Sequence, residues 1–141
     1  MKECNYSGNW IFLCNPKYYL IDKAFSENEE IYWHQIRKVN NISVGSIVYI
    51  YVSGKERLIK YKCEVIEKDV VTPKKDDSIY SLRQDKLDEV NKQEKYLLLK
   101  LLSKVDNKKL NLEFLKENGV TCFMGPISLT TELNEKINEE I

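Results

Sequence analysis

The sequence predicts an α+β domain, a mixed β-barrel of about five to six strands with flanking helices. Three observations lead there. Short aromatic and β-branched runs ended by turn residues recur through the first half, one later run alternates strictly between apolar and charged residues, and the C-terminal stretch switches to four-residue spacing behind a threonine. At 141 residues, with 43% hydrophobic and 31% charged residues and only 5 Gly and 3 Pro, residues 1–141 read as one folded domain.

Asn9-Trp10-Ile11-Phe12-Leu13-Cys14 is a first strand, stopped by Asn15-Pro16. Asn15 suits a helix cap and Pro16 the first helical position, so a short helix is expected from Pro16 to about Phe25. Glu30-Ile31-Tyr32-Trp33-His34 is a second short strand. Residues 46–52 form the next, turned by Ser53-Gly54-Lys55 into 58–66, where Ile59, Tyr61, Cys63 and Val65 alternate with Lys60, Lys62 and Glu64. The charge-dense segment 70–93 reads as a polar crossing loop or insertion, poorly ordered, with at most one helical turn around Leu82 to Val90. Residues 96–102 fit a central strand. Leu110, Phe114 and Leu115 then take helical spacing up to Asn118-Gly119, and Leu133, Ile137 and Ile141 follow Thr130, an N-cap with Glu132 in the first turn. Trp10, Phe12, Ile47, Ile59, Tyr61 and Leu99 are the expected core positions.

No apolar run approaches the roughly 18 to 20 residues that cross a bilayer, and the start MKECNYSGNW lacks a basic region followed by an apolar stretch, so the expectation is a cytoplasmic protein without membrane contact. Lys+Arg and Asp+Glu balance at 22 each, which excludes the global electrostatics of a DNA-coating protein. Cys4, Cys14, Cys63 and Cys122 show no CxxC pairing, which argues against zinc and redox motifs; Cys14 and Cys63 are expected reduced and buried in strands. No metal or cofactor is expected.

His34 is the sole histidine, and nothing places a nucleophile beside it, so hydrolase chemistry has little support and no catalytic residue is assigned. The denser signal is aromatic. The chain has nine tyrosines, 2 tryptophans and 4 phenylalanines, and seven of the tyrosines, both tryptophans and two of the phenylalanines interleave in the first half with Arg37, Lys38, Lys55, Arg57, Lys60 and Lys62. Rings beside cations suit bases and phosphates. Residues 1–63 hold nine Lys and Arg against six Asp and Glu, a local +3. Arg37, Lys38, Lys55 and Arg57 are the expected phosphate contacts around one pocket mouth, although solvated strand lysines often bind nothing.

Trp10-Ile11-Phe12 before Asn15-Pro16, Ile31-Tyr32-Trp33, Val44-Gly45-Ser46-Ile47-Val48 running to Ser53-Gly54, and Gly125-Pro126-Ile127 before Leu129-Thr130-Thr131-Glu132-Leu133 together resemble the EVE domain, a PUA-like family related to the YTH readers of methylated adenine. The resemblance covers nearly the whole chain. It implies a PUA-like bent barrel and a non-catalytic, nucleic-acid-binding module that takes a flipped, modified DNA or RNA base into an aromatic pocket, with an effector protein acting in trans. By the same resemblance Trp33 is the cage tryptophan, His34 its pocket-lining neighbour, Asn15 the polar residue after the first strand, Ser53 and Gly54 the rim, and Gly125 and Pro126 a further corner. Tyr18, Tyr19 and Phe123 are candidates for the second aromatic wall. Relatives usually carry Arg before that Gly and Gln after that Pro, where this chain has Met124 and Ile127, so polar recognition through those positions is in question.

Plainer roles compete with each assignment. Trp33 and Trp10 can be core residues, Asn15 a helix cap, and Ser53-Gly54 a simple hairpin turn. Two other classes of function compete as well: an ASCH-like enzyme acting on modified nucleosides or RNA through a lysine beside a Thr or Glu, and a protein-interaction module whose aromatics close a solid core.

Overall fold

The computed structural model describes residues 6–35, 39, 41–71, 80, 95–121, 123 and 125–141. Among these residues six strands and three helices follow in the order β1 (Tyr6–Cys14), α1 (Ile21–Glu27), β2 (Glu30–His34), β3 (Ile47–Val52), β4 (Leu58–Val70), β5 (Tyr96–Lys104), α2 (Leu112–Glu117), β6 (Ile127–Thr130) and α3 (Thr131–Glu139). They form one mixed sheet ordered β2-β5-β4-β3-β1-β6. Only β1 and β3 pair in parallel, Trp10 opposite Val48 and Cys14 opposite Val52, which the α1–β2 crossover between them makes possible.

The barrel does not close. β2 and β6 are the two ends of the strand order, and no ladder joins them among the described residues. The sheet nevertheless curls hard. β2 and β1 are four strand spacings apart, roughly 19 Å on a flat sheet, yet the Trp33 ring on β2 stacks on the Phe12 ring of β1 at 6.0 Å. The sheet therefore wraps around the side chains between them.

Alternation along each strand sends residues to two separate cores. Phe12 and Cys14 of β1, Val48, Ile50 and Val52 of β3, and Tyr61, Cys63 and Val65 of β4 face inward with Leu97, Leu99 and α1. Ile11, Tyr49 and Tyr51 face the other way, with Leu115, Leu129, Leu133 and Ile137. Cys14 and Cys63 are buried free thiols, and burial pushes both up to about 12. Cys4 and Cys122 lie outside the described residues.

The expected register of 58–66 holds, with Lys60 and Lys62 less buried than Tyr61 and Cys63. One residue departs from it. Ile50 pairs with Tyr61 but Tyr51 with Ile59, so Lys60 is the extra residue of a bulge and Ile59 is delivered to the second core. Trp10 and Ile47, expected in the core, are half-buried at its margin, while Phe12, Ile59, Tyr61 and Leu99 are fully inside.

α1 begins later than expected, at Ile21 rather than Pro16. Asn15 instead closes a turn: its carbonyl accepts from the Tyr18 and Tyr19 amides at 2.9 and 3.1 Å, and its Oδ1 from the Lys17 amide at 3.0 Å. The predicted cap at the other end holds, since Thr130 Oγ1 accepts from Leu133 N at 3.2 Å and opens α3. Asn111 does the same for α2 through Phe114 N at 3.0 Å. β6 was not foreseen; it pairs antiparallel with β1, Ile127 opposite Ile11. Gly8, at φ 83, sits where that register shifts, a bulge geometry that glycine accepts without strain.

The 70–93 loop begins one residue later than expected, since Val70 still belongs to β4, and its remainder lies outside the described residues except Val71 and Tyr80. Tyr80 is buried, not solvated. Its carbonyl accepts from Leu20 N at 2.8 Å and its hydroxyl donates to Glu27 Oε2 at 2.9 Å, fastening both ends of α1.

Candidate nucleic-acid interface

Three of the motifs singled out in the sequence meet at the C-terminal ends of β1 and β3. Ser53 follows β3, and its amide and Oγ both donate to the Cys14 carbonyl, at 2.9 and 3.3 Å. Gly54, at φ 85, lies against Pro16; a Cβ there would stand 3.6 and 3.8 Å from Pro16 ring carbons. The Asn15-Pro16 turn and the Ser53-Gly54 turn are thus one continuous rim. Gly125 and Pro126 lead into β6 beside the same end of β1, because Ile127 pairs with Ile11 and earlier residues run toward Cys14.

Below that rim lies a chain of rings. Trp33 stacks on Phe12 at 6.0 Å and 25°, and meets Tyr19 edge-on at 5.6 Å and 65°. Tyr19 in turn meets Tyr80 at 6.5 Å. Trp33 and Tyr19 are half-buried, packed against the first core but not enclosed by it. His34 is exposed, its ring 5.8 Å from Tyr96. Tyr18 is exposed on the Asn15 turn, with Lys17 Nζ 5.8 Å from its ring centre. Phe123 belongs elsewhere: it packs on Tyr51 at 5.8 Å in the second core, so the sheet stands between it and Trp33. Of the three aromatic candidates, Tyr19 is the one that reaches the tryptophan.

Lys55 and Arg57 project from the β3–β4 turn and are exposed. Arg57 adopts φ 51 and donates Nε to the Gly54 carbonyl at 3.0 Å, which holds the guanidinium against the Ser53-Gly54 turn. Arg37 and Lys38 lie outside the described residues.

A group that sequence reasoning did not assemble lies between α1 and β4. Lys60 Nζ, directed by its bulge, reaches Asp22 at 2.9 Å and Glu56 at 3.0 Å, and the Tyr61 hydroxyl donates to Asp22. Burial pushes the Asp22 carboxyl up, but hydrogen bonds from Tyr61 and Lys60 and the charges of Lys60 and Lys104 outweigh it and hold the group below its ordinary value. For Lys60, burial is outweighed by Asp22 and Glu56, so its ammonium is held above the ordinary lysine value. Lys60, Glu56 and Asp22 were readable as charges; the bulge that joins them was not. Among the described residues no group of three or more His, Cys, Asp and Glu side chains could hold a metal.

The architecture is that of the PUA-like fold. An ASCH protein from Zymomonas mobilis, solved as a point mutant, superposes with a TM-score of 0.66 at 14% identity over 96% of this chain and 97% of that one. Human THYN1, solved in complex with DNA containing 5-methylcytosine, gives 0.62 at 15% identity over 93% and 95%. A hypothetical protein from Leishmania major gives 0.62 at 19% identity over 96% of each chain. No protein-family model and no curated protein sequence matches the chain.

Proposed function

We propose that the chain is a nucleic-acid-binding module of the EVE type that stacks one flipped, modified base on Trp33, with an effector supplied in trans. The observation that carries this reading is the half-buried Trp33–Tyr19 pair directly below the Asn15 and Ser53-Gly54 rim, beside exposed Lys55 and Arg57. Ring faces supply about 1 to 3 kcal/mol per stacked base, and rim cations position the backbone without reading sequence. Human THYN1, which shares the fold, was solved with methylated DNA, which makes a methylated cytosine a sensible first probe.

An ASCH-like enzymatic reading draws on Lys60 beside Glu56. Its weakness is chemical: a lysine held protonated by two carboxylates is a poor nucleophile or base. The experiment is fluorescence anisotropy with short single strands carrying 5-methylcytosine, 5-hydroxymethylcytosine, N6-methyladenine or no modification, followed by a product scan. The expected result is preferential binding of one modified strand, returned unchanged, and loss of that preference in Trp33→Ala with the circular dichroism spectrum retained. Equal binding of all strands by the wild type, or an altered nucleoside in the scan, overturns the reading.

A further inference from the structure

We propose that Gln35 and Asp69 are positioning residues for Trp33: their paired hydrogen bonds tie the end of β2 to β4 across β5 and set how the Trp33 ring is offered. Gln35, two residues beyond Trp33, is buried at 4% exposure although its side chain is a polar amide, and its partner Asp69 lies beside Lys68 and Lys95 at the surface. Its Nε2 donates to Asp69 Oδ1 at 2.9 Å, and its Oε1 accepts from the Asp69 amide at 2.8 Å, a closed two-bond pair. Gln35 N also donates to the Lys95 carbonyl at 2.8 Å, so one residue holds all three strand ends.

Asp69 has an unusual backbone. It adopts φ 54, in the left-handed region that a non-glycine residue enters at a cost and that aspartate tolerates better than most. Here the β4–β5 ladder gains a residue, Glu67 opposite Leu98 but Val70 opposite Tyr96, and the bulge turns Asp69 back toward β2. Lys68 Nζ donates to the Ile42 carbonyl at 2.7 Å, anchoring the bulge from its other side. β2 is an edge strand, held by a ladder on one side only among the described residues. Without the cross-tie its end can twist about that ladder, and Trp33 turns with it.

The consequence for binding rests on the Trp33 reading above; the consequence for the ring itself does not. In a Trp10→Phe background Trp33 is the sole tryptophan, so its emission maximum and acrylamide quenching report its seating directly. Gln35→Ala and Asp69→Gly are expected to raise the quenching and shift the emission, and to weaken binding of the preferred strand by about fivefold to tenfold, with circular dichroism unchanged. Asp69→Gly also relieves the backbone strain, so it separates positioning from stability. Asp69→Asn keeps the Oδ1 acceptor and the tolerance for this φ, and is expected to restore wild-type emission. Unchanged Trp33 emission and quenching in Asp69→Gly overturns the proposal. If the wild type prefers no strand, the binding reading fails while the emission measurements still decide this one.

Discussion

On the face of the sheet covered by α2 and α3, aliphatic side chains meet capped helices and almost nothing of Ile11, Leu115, Leu129 or Ile137 reaches solvent. The opposite face is covered by Ile21, Ala24 and Phe25 of α1 and, at its margin, by rings from a turn and an edge strand, where Trp33, Tyr19 and Trp10 stay half-exposed. Both faces belong to the same strands, so alternation alone does not decide what closes the margin of each. The covering elements do: α2 and α3 bury a stripe along their length, whereas beside α1 the Asn15 turn and β2 meet through the rings of Tyr19, Trp33 and Phe12.

The largest effect should come from truncating the closed face. Leu115→Ala removes a fully buried side chain and is expected to cost about 2 to 5 kcal/mol in urea unfolding. Trp33→Ala should cost less than the roughly 3 to 5 kcal/mol of a fully buried tryptophan, despite deleting more atoms. A Trp33→Ala loss equal to or above that of Leu115→Ala would erase the contrast between the faces.

Removing a cap comes next. Thr130→Ala should cost about 1 kcal/mol, because Leu133 N loses its acceptor and α3 frays off the closed face. Binding of the preferred strand should not change. A loss of affinity beyond the loss of folded protein would couple the faces.

Asp22 tests the ion cluster that fastens α1 over the open face. Its folded pKa lies below the ordinary 3.8, so its contribution is fully present above that value and disappears as pH falls through the folded pKa. The wild type should therefore lose stability below about pH 4, and Asp22→Asn should show a flatter acid limb in urea midpoints measured from pH 7 to pH 2. Identical limbs would mean that the cluster adds nothing. The smallest effect belongs to the rim cations: Lys55→Gln with Arg57→Gln should leave stability within about 0.5 kcal/mol while lowering the salt slope of single-strand binding by up to about 1.4. An unchanged slope would leave these side chains as solvated surface.

Much of this plan was legible in the sequence where neighbours along the chain decide the outcome. Thr130 sits three residues before Leu133 and caps α3 by local geometry, and the alternation of 61–65 carries its own register. What escaped depends on partners far away. Asn15-Pro16 has the chemistry of a helix start, but α1 waits until Leu20 N has met the Tyr80 carbonyl. The four residues of β6 are extended because β1 offers them a ladder. The bulge at Lys60 leaves the apolar alternation intact, so nothing local announces that Ile59 and Tyr61 enter different cores. At the candidate site, Trp33, Tyr19, Asn15 and Ser53-Gly54 were all named from the sequence, whereas Phe123 looked equivalent until the sheet came between them.

The placement of β1 between β3 and β6 has a consequence for how the chain is made. Ser7 Oγ donates to the Leu129 carbonyl across 122 positions of sequence, so β1 leaves the ribosome well before the strand that completes it. At roughly 5 to 20 residues per second, that edge of β1 waits roughly 6 to 24 s for its partner. Throughout the wait a nascent chain carries Trp10, Ile11 and Phe12 beside an unpaired backbone edge. A chain stopped at Gly119 should reproduce this state, binding a holdase chaperone or sedimenting where the full sequence stays in solution. The residues of β1 that seed both faces are thereby the ones most in need of shelter during synthesis.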